Sequence, residues 1–138
     1  MKLFQETWRR RPFWMLVGCI LVNRTRWAQA EPVHRELYRR YKNPKGLSEA
    51  HYGTLEQIVE PLGFGRLRTR NLIGFAKVWV GCRRGMKFDR AVIYGFPGCG
   101  PYAADSWEIF VEGNLSVQPK DEKLRRYVAD RRRARQLG

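Results

Sequence analysis

The chain has few cysteines, few acidic side chains and no long hydrophobic run. Its three cysteines, Cys19, Cys82 and Cys99, are odd in number, far apart and without CxxC spacing. This pattern argues against a disulfide framework, a structural zinc site and an iron–sulfur cluster. The longest apolar stretch, 13–22, is interrupted by Gly18 and is too short to cross a membrane. No small-residue cleavage site follows it, so we expect an intracellular protein without a signal peptide.

Basic residues outnumber acidic residues by about two to one. The chain holds 27 Lys and Arg against 13 Asp and Glu, a formal net charge of +14. A folded domain with this excess of positive charge favours a polyanionic partner, most commonly nucleic acid, with an anionic membrane or a ribosome-like assembly as alternatives. The 138 residues are 43% hydrophobic and 13% aromatic, which predicts a globular domain with its own core rather than a disordered basic segment. We expect one domain over 1–138, with a basic C-terminal tail at about 131–138.

Helical periodicity dominates the chain, and no segment shows a convincing strand pattern or an internal repeat. Asn43-Pro44-Lys45-Gly46 and Pro61-Leu62-Gly63-Phe64-Gly65 predict breaks, and Gly81 to Lys87 predicts a basic connector. Thr54 is expected to cap the fourth helix, and Asp121 the last one. The helices predicted between these points run over about 3–10, 12–22, 31–41, 55–60, 66–80, 91–94 and 101–111, followed by one that begins after Asp121 and carries Leu124, Tyr127 and Val128. The sequence therefore predicts an all-α fold, with two lobes if the helices from the two chain ends pack together.

A glycine-rich turn, Phe96-Pro97-Gly98-Cys99-Gly100-Pro101, lies between two of the predicted short helices. Gly98 and Gly100 allow a tight turn with exposed N–H groups, and a helix starting at Pro101 adds its positive dipole end. Such a site can hold a DNA phosphate without reading sequence. The turn alone is weak evidence, because similar turns occur in many folds without any ligand.

Several further blocks surround this turn in a fixed order. With them, the sequence resembles the helix–hairpin–helix DNA glycosylase superfamily, which includes endonuclease III, and in particular the glycosylase domain of methyl-CpG-binding thymine DNA glycosylases. The resemblance covers residues 3 to about 127 and implies a two-lobed all-α glycosylase fold. The blocks that carry it are Leu3-Phe4-Gln5-Glu6-Thr7, Leu21-Val22-Asn23-Arg24-Thr25, Pro61-Leu62-Gly63-Phe64, the hairpin with Tyr102, Asp105-Ser106-Trp107-Glu108-Ile109-Phe110 and Pro119-Lys120-Asp121-Glu122-Lys123-Leu124.

Two residues match catalytic positions of this family. Asp121 matches the catalytic aspartate, whose carboxylate can stabilise the positive charge that develops on the sugar and can orient or deprotonate the attacking water. A helix N-cap is the simpler interpretation of Asp121, and both roles are compatible. Tyr102 stands where strand-cleaving relatives carry a lysine, so no Schiff base with the sugar is expected, although a packing role is the alternative. Asp105 is the rival carboxylate, for which we expect a structural role.

Four more residues match positions that contact DNA in the family, and a fifth is expected to support them. Phe4 and Gln5 match residues that face the flipped pyrimidine, and Asn23 is expected to support this pocket or the nearby helix end. A glutamine amide offers one donor and one acceptor to the edge of uracil or thymine, although an ordinary surface glutamine is an equal alternative. Arg24 and Phe64 match residues that fill the gap left by the base and meet its widowed partner, where arginine favours guanine. Relatives usually carry leucine at Phe64, and an aromatic ring there can stack between base pairs.

The remaining basic residues predict phosphate contacts or solvated faces. Arg66 is the expected phosphate ligand beside Phe64, and Arg68 and Arg70 accompany it. Residues 120–138 hold eight Lys and Arg against three Asp and Glu. Together these charges predict binding to double-stranded DNA that weakens steeply with salt.

The predicted function is a DNA glycosylase that removes uracil, thymine or a 5-substituted pyrimidine from mismatches such as G·U and G·T. It is expected to act by base flipping and hydrolysis, as a monomer, without metal or other cofactor and without strand cleavage. The family's four-cysteine cluster is absent from the sequence, as in the thymine glycosylase branch. Two alternatives stay open: a base-modifying enzyme on the same fold acting on unusual thymine derivatives, and a non-catalytic helix–hairpin–helix DNA-binding module.

Overall fold

The computed structural model of the protein describes residues 2–138. All regular structure in this part of the chain is helical, as predicted. A 3-10 turn, Glu60–Leu62, follows the fifth helix, and a π-helical segment, Trp107–Val111, continues the eighth. The α-helices are α1 Phe4–Trp8, α2 Pro12–Leu21, α3 Trp27–Tyr41, α4 Pro44–Ser48, α5 Tyr52–Val59, α6 Gly65–Gly81, α7 Arg90–Tyr94, α8 Pro101–Ser106 and α9 Glu122–Leu137.

Three predicted boundaries are wrong, each for a local reason. α3 begins at Trp27 rather than at residue 31, because burial of Ala30 stabilises the first turn of the helix although Pro32 follows it. The predicted break at 43–46 is the start of α4, since the Asn43 side chain accepts a hydrogen bond from Gly46 N at 2.8 Å and Leu47 is buried. α5 starts three residues early because the His51 ring, not Thr54, caps it.

Helix α2 forms the centre of the molecule. Every residue from Phe13 to Leu21 is buried, and α2 packs against α1, α3, α6 and α8. A segment buried on all sides is expected to be apolar around its whole circumference, as 13–21 is. Helices α3 to α6, from the middle of the chain, pack against one another. Helix α1 is joined to α8 by the Gln5–Tyr102 hydrogen bond and to α9 by the Arg131–Glu6 ion pair, so the two chain ends pack together as the predicted two-lobed fold requires.

The basic C-terminal residues 131–138 are mostly helical. Residues 131–138 continue α9 to Leu137, and all of their side chains are exposed. Only the first half of this helix contributes to the core, through Leu124 and Val128. Between residues 2 and 138, no helix is long and apolar enough to cross a membrane.

Candidate active site

A cleft of about 850 Å³ lies between the two ends of the chain. It is bounded by four stretches of chain, 2–5, 22–27, 98–103 and 121–124, and by Cys19 on α2. These stretches are the start of α1, the loop from α2 to α3, the hairpin with the first turn of α8, and the start of α9. The fold therefore brings together Phe4, Gln5, Asn23, Tyr102 and Asp121, which the sequence predicted as site residues from blocks far apart in the chain.

Gln5 is held rigidly in the cleft wall. Its side chain is 1% exposed, and Nε2 donates hydrogen bonds to Tyr102 Oη at 2.7 Å and to Ser106 Oγ at 3.2 Å. Both amide protons are thus used within the protein, which leaves Oε1 as the group available to a ligand. Burial raises the pKa of Tyr102 above its usual range, so its hydroxyl stays protonated and can still donate one hydrogen bond.

Phe4 forms an apolar wall of the cleft together with a residue that sequence analysis did not select. Its ring stacks on Trp27, with centroids 4.2 Å apart and planes 15° apart. A Cβ at Gly18 would lie 2.6 Å from Phe4 Cε2, so glycine at this point of α2 lets the ring approach the helix. Trp27 directly follows the basic loop 23–26, but no sequence pattern marked it as a partner of Phe4.

Asp121 caps α9, as predicted. Its Oδ2 accepts a hydrogen bond from Leu124 N at 3.0 Å, which fixes the carboxylate at the positive end of the helix dipole. Asp121 lines the cleft, and its Oδ1 takes part in no hydrogen bond with the described residues. The capping geometry and an open carboxylate oxygen are therefore present in the same side chain.

The hairpin lies at the far wall of the cleft, between α7 and α8. Gly98 has φ +77°, and a Cβ there would lie 3.0 Å from Asn71 Cβ and 3.1 Å from Ile20 Cγ2. Gly100 is extended, with φ −157°, and has open space where a Cβ would stand. Asp105, the rival carboxylate, is buried and accepts a hydrogen bond from Arg90 Nη1 at 2.5 Å. This ion pair ties the helices on the two sides of the hairpin, which supports the structural role expected for Asp105.

Two thiols lie on the cleft, Cys19 and Cys99, and neither was selected as a site residue. Burial raises the pKa of Cys99 to about 12 and raises that of Cys19 as well. Both are therefore neutral thiols rather than nucleophilic thiolates. Within residues 2–138, no group of three His, Cys, Asp or Glu side chains is placed to hold a metal ion.

Arg24 lines the cleft, and Phe64 lies against Arg24 although forty positions separate the two residues in the sequence. The Arg24 guanidinium carbon is 5.2 Å from the centroid of the Phe64 ring. Both residues are exposed, Phe64 by 57%. Both also have a left-handed backbone, with φ +66° at Arg24 and +52° at Phe64, which is uncommon outside glycine. We call these two residues the wedge pair.

The three arginines that follow Phe64 do not share one environment. Arg66 and Arg70 are exposed, in agreement with a solvated or phosphate-facing position. The prediction that Arg68 also faces phosphate or solvent is wrong, because Arg68 is only 4% exposed. The spacing did contain a signal: Arg68 is one turn before Leu72 and two turns before Phe75, and both of these are buried on the core side of α6.

Comparisons with known proteins agree with this geometry. Residues 17–135 match the family model described as "HhH-GPD superfamily base excision DNA repair protein". Over 81% of its length the chain is 33% identical to a thymine-DNA glycosylase of Aeropyrum pernix, covering 51% of that protein. It is 32% identical over 70% of its length to a thymine/uracil-DNA glycosylase of Pyrobaculum aerophilum, covering 44%. It is 29% identical over 91% of its length to a methyl-CpG-binding domain protein 4-like protein of Arabidopsis thaliana, covering 27%. The chain thus spans about a quarter to a half of these relatives.

Two solved structures share the fold. A thermostable thymine-DNA glycosylase superposes with a TM-score of 0.70 at 21% identity, covering 79% of this chain and 52% of that one. Endonuclease III in a non-covalent DNA complex gives a TM-score of 0.67 at 22% identity, with coverages of 84% and 54%. The predicted all-α helix–hairpin–helix glycosylase fold is therefore confirmed. Sequence and fold together show that the chain belongs to the HhH-GPD superfamily of base excision DNA repair proteins.

Proposed function

We propose that this chain is a monofunctional DNA glycosylase that flips a uracil, a thymine or a 5-substituted pyrimidine out of mismatched duplex DNA and hydrolyses its N-glycosidic bond. It acts as a monomeric single domain on G·U and G·T pairs. The observation that carries the proposal is the convergence of Gln5, Tyr102 and Asp121 on one cleft that the glycine hairpin also lines. Two of the relatives are a thymine-DNA glycosylase and a thymine/uracil-DNA glycosylase, which supports uracil and thymine as the substrate class.

Asp121 supplies the negative charge that this reaction needs. As the bond to the base breaks, the sugar acquires oxocarbenium character, and a fixed carboxylate nearby lowers the energy of that state. Oδ2 stays on Leu124 N, so the side chain does not have to reorganise during the reaction. The electron pair of the broken bond leaves with the base, the oxygen of water bonds to the sugar carbon, and Oδ1 accepts the proton that this water loses.

Gln5 supports selection of the base. Because its two N–H groups are used by Tyr102 and Ser106, the group it offers to a ligand is the Oε1 acceptor. The ring N3 of uracil and thymine carries a hydrogen and can donate to such an oxygen, whereas N3 of cytosine is itself an acceptor. The same geometry thus favours uracil and thymine over cytosine, which is present in every normal duplex. The stacked Phe4 and Trp27 rings provide the apolar surface for the base.

Tyr102 supports hydrolysis without strand cleavage. A strand-cleaving glycosylase needs an amine that forms a Schiff base with the sugar. Tyr102 has no amine, and its hydroxyl accepts a hydrogen bond from Gln5. Its role in the proposed reaction is to hold Gln5 in place and to line the cleft, and the product is an intact strand with an abasic site.

Duplex binding relies on the hairpin and on the wedge pair. Gly98 and Gly100 hold one phosphate through backbone N–H groups, and Arg66 contacts another. Arg24 and Phe64 enter the gap left by the flipped base, where Arg24 donates to guanine acceptors on the opposite strand. A mismatched base costs less to extrude than a paired one, which adds selectivity before the cleft is reached.

The test is excision from labelled duplexes that carry a single G·U, G·T or 5-substituted pyrimidine pair, followed by alkali. Wild-type protein should produce strand breaks only after alkali treatment. Asp121→Asn should lower the single-turnover rate by on the order of 10²–10⁴-fold, while asparagine still caps α9. Asp130→Asn is the matched control, since it removes an exposed carboxylate from the same helix.

Three outcomes would contradict the proposal in different ways. Full activity in Asp121→Asn would remove the catalytic role of this carboxylate. Strand breaks without alkali would contradict the argument from Tyr102. Binding to every duplex without any excision would favour a non-catalytic DNA-binding module instead.

A further inference from the structure

Arg68 is a buried cation whose hydrogen bonds all go to backbone carbonyls. Nε donates to Gly63 O at 2.7 Å, and Nη1 donates to Leu21 O at 2.8 Å. Nη2 donates to Asn23 O at 2.9 Å and to Leu62 O at 3.2 Å. No carboxylate pairs with it among the residues that the structure describes. Removing an unpaired charge from water costs free energy, and the four hydrogen bonds offset part of this cost. What these bonds hold in place indicates why the charge is buried here.

The four carbonyls belong to two separate segments. Leu21 and Asn23 lie at the end of α2 and in the loop after it, whereas Leu62 and Gly63 end the 3-10 turn before α6. Within residues 2–138, one guanidinium thus joins the two segments that carry the wedge pair. Its planar, five-donor geometry allows this, because the N–H groups point in fixed and different directions.

The position of two of these carbonyls is specific. Asn23 O belongs to the peptide unit immediately before Arg24, and Gly63 O to the one immediately before Phe64. The angle φ of a residue describes rotation relative to its preceding peptide unit, so fixing that unit restricts φ. Arg24 and Phe64 are left-handed, with φ +66° and +52°, a conformation that is unfavourable for residues other than glycine. Arg68 therefore binds the chain immediately before two of the three non-glycine residues in 2–138 that have a positive φ.

We propose that Arg68 is a positioning residue that locks the wedge pair into one preformed unit. By holding the peptide units before Arg24 and Phe64, it keeps the guanidinium of one over the ring of the other. Both can then enter the duplex together, without ordering of two loops during binding. Since the charge of Arg68 is balanced by carbonyl dipoles and not by a carboxylate, it also adds positive potential behind a surface that meets phosphates. The inference rests on the proposed function, because it assigns this pair to the gap in the duplex.

The test compares Arg68→Lys and Arg68→Met with Thr69→Val, a neighbouring substitution at a site that is also buried. Among residues 2–138 the Thr69 hydroxyl has no hydrogen-bond partner, so Thr69→Val changes a buried position next to Arg68 without removing a hydrogen bond. Two quantities are measured for each protein: the fluorescence of 2-aminopurine placed beside a G·U pair, and uracil excision from duplex and from single-stranded DNA. Thermal melting shows how much folded protein each sample contains.

We expect Arg68→Lys to lose about 10- to 100-fold in duplex excision, as misplaced contact groups typically do. Its fluorescence rise on duplex binding should also be lost, while excision from single strands stays close to wild type because no gap has to be filled. Thr69→Val should leave the ratio of duplex to single-strand excision unchanged. If Arg68→Met does not fold, Arg68→Lys decides the question, since lysine keeps the charge but cannot reach four carbonyls at once.

Equal losses on duplex and single-stranded DNA, in proportion to a lower melting temperature, would overturn the proposal and leave Arg68 a structural residue. An unchanged fluorescence rise in Arg68→Lys would overturn it as well. Failure of the proposed function gives a different result. In that case, wild-type protein would unstack the duplex without excising any base, and the fluorescence comparison would still decide the role of Arg68.

Discussion

Replacing Gly98 by alanine should destabilise the protein by about 2 kcal/mol. Gly98 has φ +77°, and a left-handed conformation costs an alanine about 1–2 kcal/mol. In addition, the new Cβ would lie 3.0 Å from Asn71 Cβ and 3.1 Å from Ile20 Cγ2. Ile20 belongs to the buried α2 and Asn71 to α6, so neither neighbour can move away freely, and the overpacking adds on the order of 1 kcal/mol.

This free energy corresponds to a measurable change in melting temperature. For 138 residues, the unfolding entropy near the midpoint is about 0.3 kcal/mol/K, so a loss of 2 kcal/mol lowers Tm by about 7 °C. Calorimetry or circular dichroism on wild-type and Gly98→Ala proteins at the same pH and salt measures this shift. A variant that melts within about 1 °C of wild type would refute the reasoning from φ and from the close approach to α2.

Gly100→Ala is the matched comparison, because it changes the same hairpin by the same atom. Gly100 has an extended backbone and open space at the Cβ position, so we expect little change in Tm. If the hairpin holds a phosphate, the methyl group stands where that phosphate approaches, and DNA affinity should fall about tenfold or more at fixed salt. Equal destabilisation in both variants, or unchanged DNA affinity in Gly100→Ala, would contradict the assignment.

Two further predictions concern the cleft and its support. Tyr102→Lys should produce strand breaks without alkali and a protein–DNA complex that borohydride traps. The reason is that burial lowers the pKa of a lysine and leaves a nucleophilic amine. The absence of a trapped complex would count against Tyr102 as a cleft residue. Burial lowers the pKa of His34, whose Nε2 donates to Trp14 O at 2.8 Å. The unfolded chain therefore binds the proton first, and stability should fall as pH drops below about 6.5. In urea unfolding, the stability advantage of wild type over His34→Gln should shrink between about pH 6.5 and 5, and a constant advantage would exclude this titration.

The helices were predictable where the apolar pattern and the termini agree. The residues from Pro12 to Leu21 are apolar on all faces, and Asp121 precedes a helix that it caps, so both α2 and α9 were predicted close to their observed starts. α3 was misjudged because Pro32 is a helix breaker in isolation. In the fold, the packing of the preceding turn outweighs that tendency. Asn43 and Pro44 were interpreted as a break although they also form a typical helix start, and local sequence alone does not decide between the two.

The sequence predicted which residues form the candidate site but not which atoms they contact. Phe4, Gln5, Tyr102 and Asp121 were selected because each matches a block of the family, and the structure places all four on one cleft. What each side chain touches was beyond the sequence. The use of both Gln5 protons within the protein depends on Ser106 and Tyr102 reaching the same amide, which is a matter of tertiary geometry rather than of spacing.

The cleft and the wedge pair are built from different parts of the chain, and this separation has a consequence for selectivity. The walls that hold Gln5, Tyr102 and Asp121 come from the two chain ends, whereas Phe64 comes from the middle. Arg24 takes part in both, since it lines the cleft and lies over the Phe64 ring. In the proposed reaction, recognition of the flipped base and of its widowed partner are therefore two separate contributions to the free energy of binding. They are physically linked at Arg24, whose conformation in turn depends on the carbonyl that Arg68 holds.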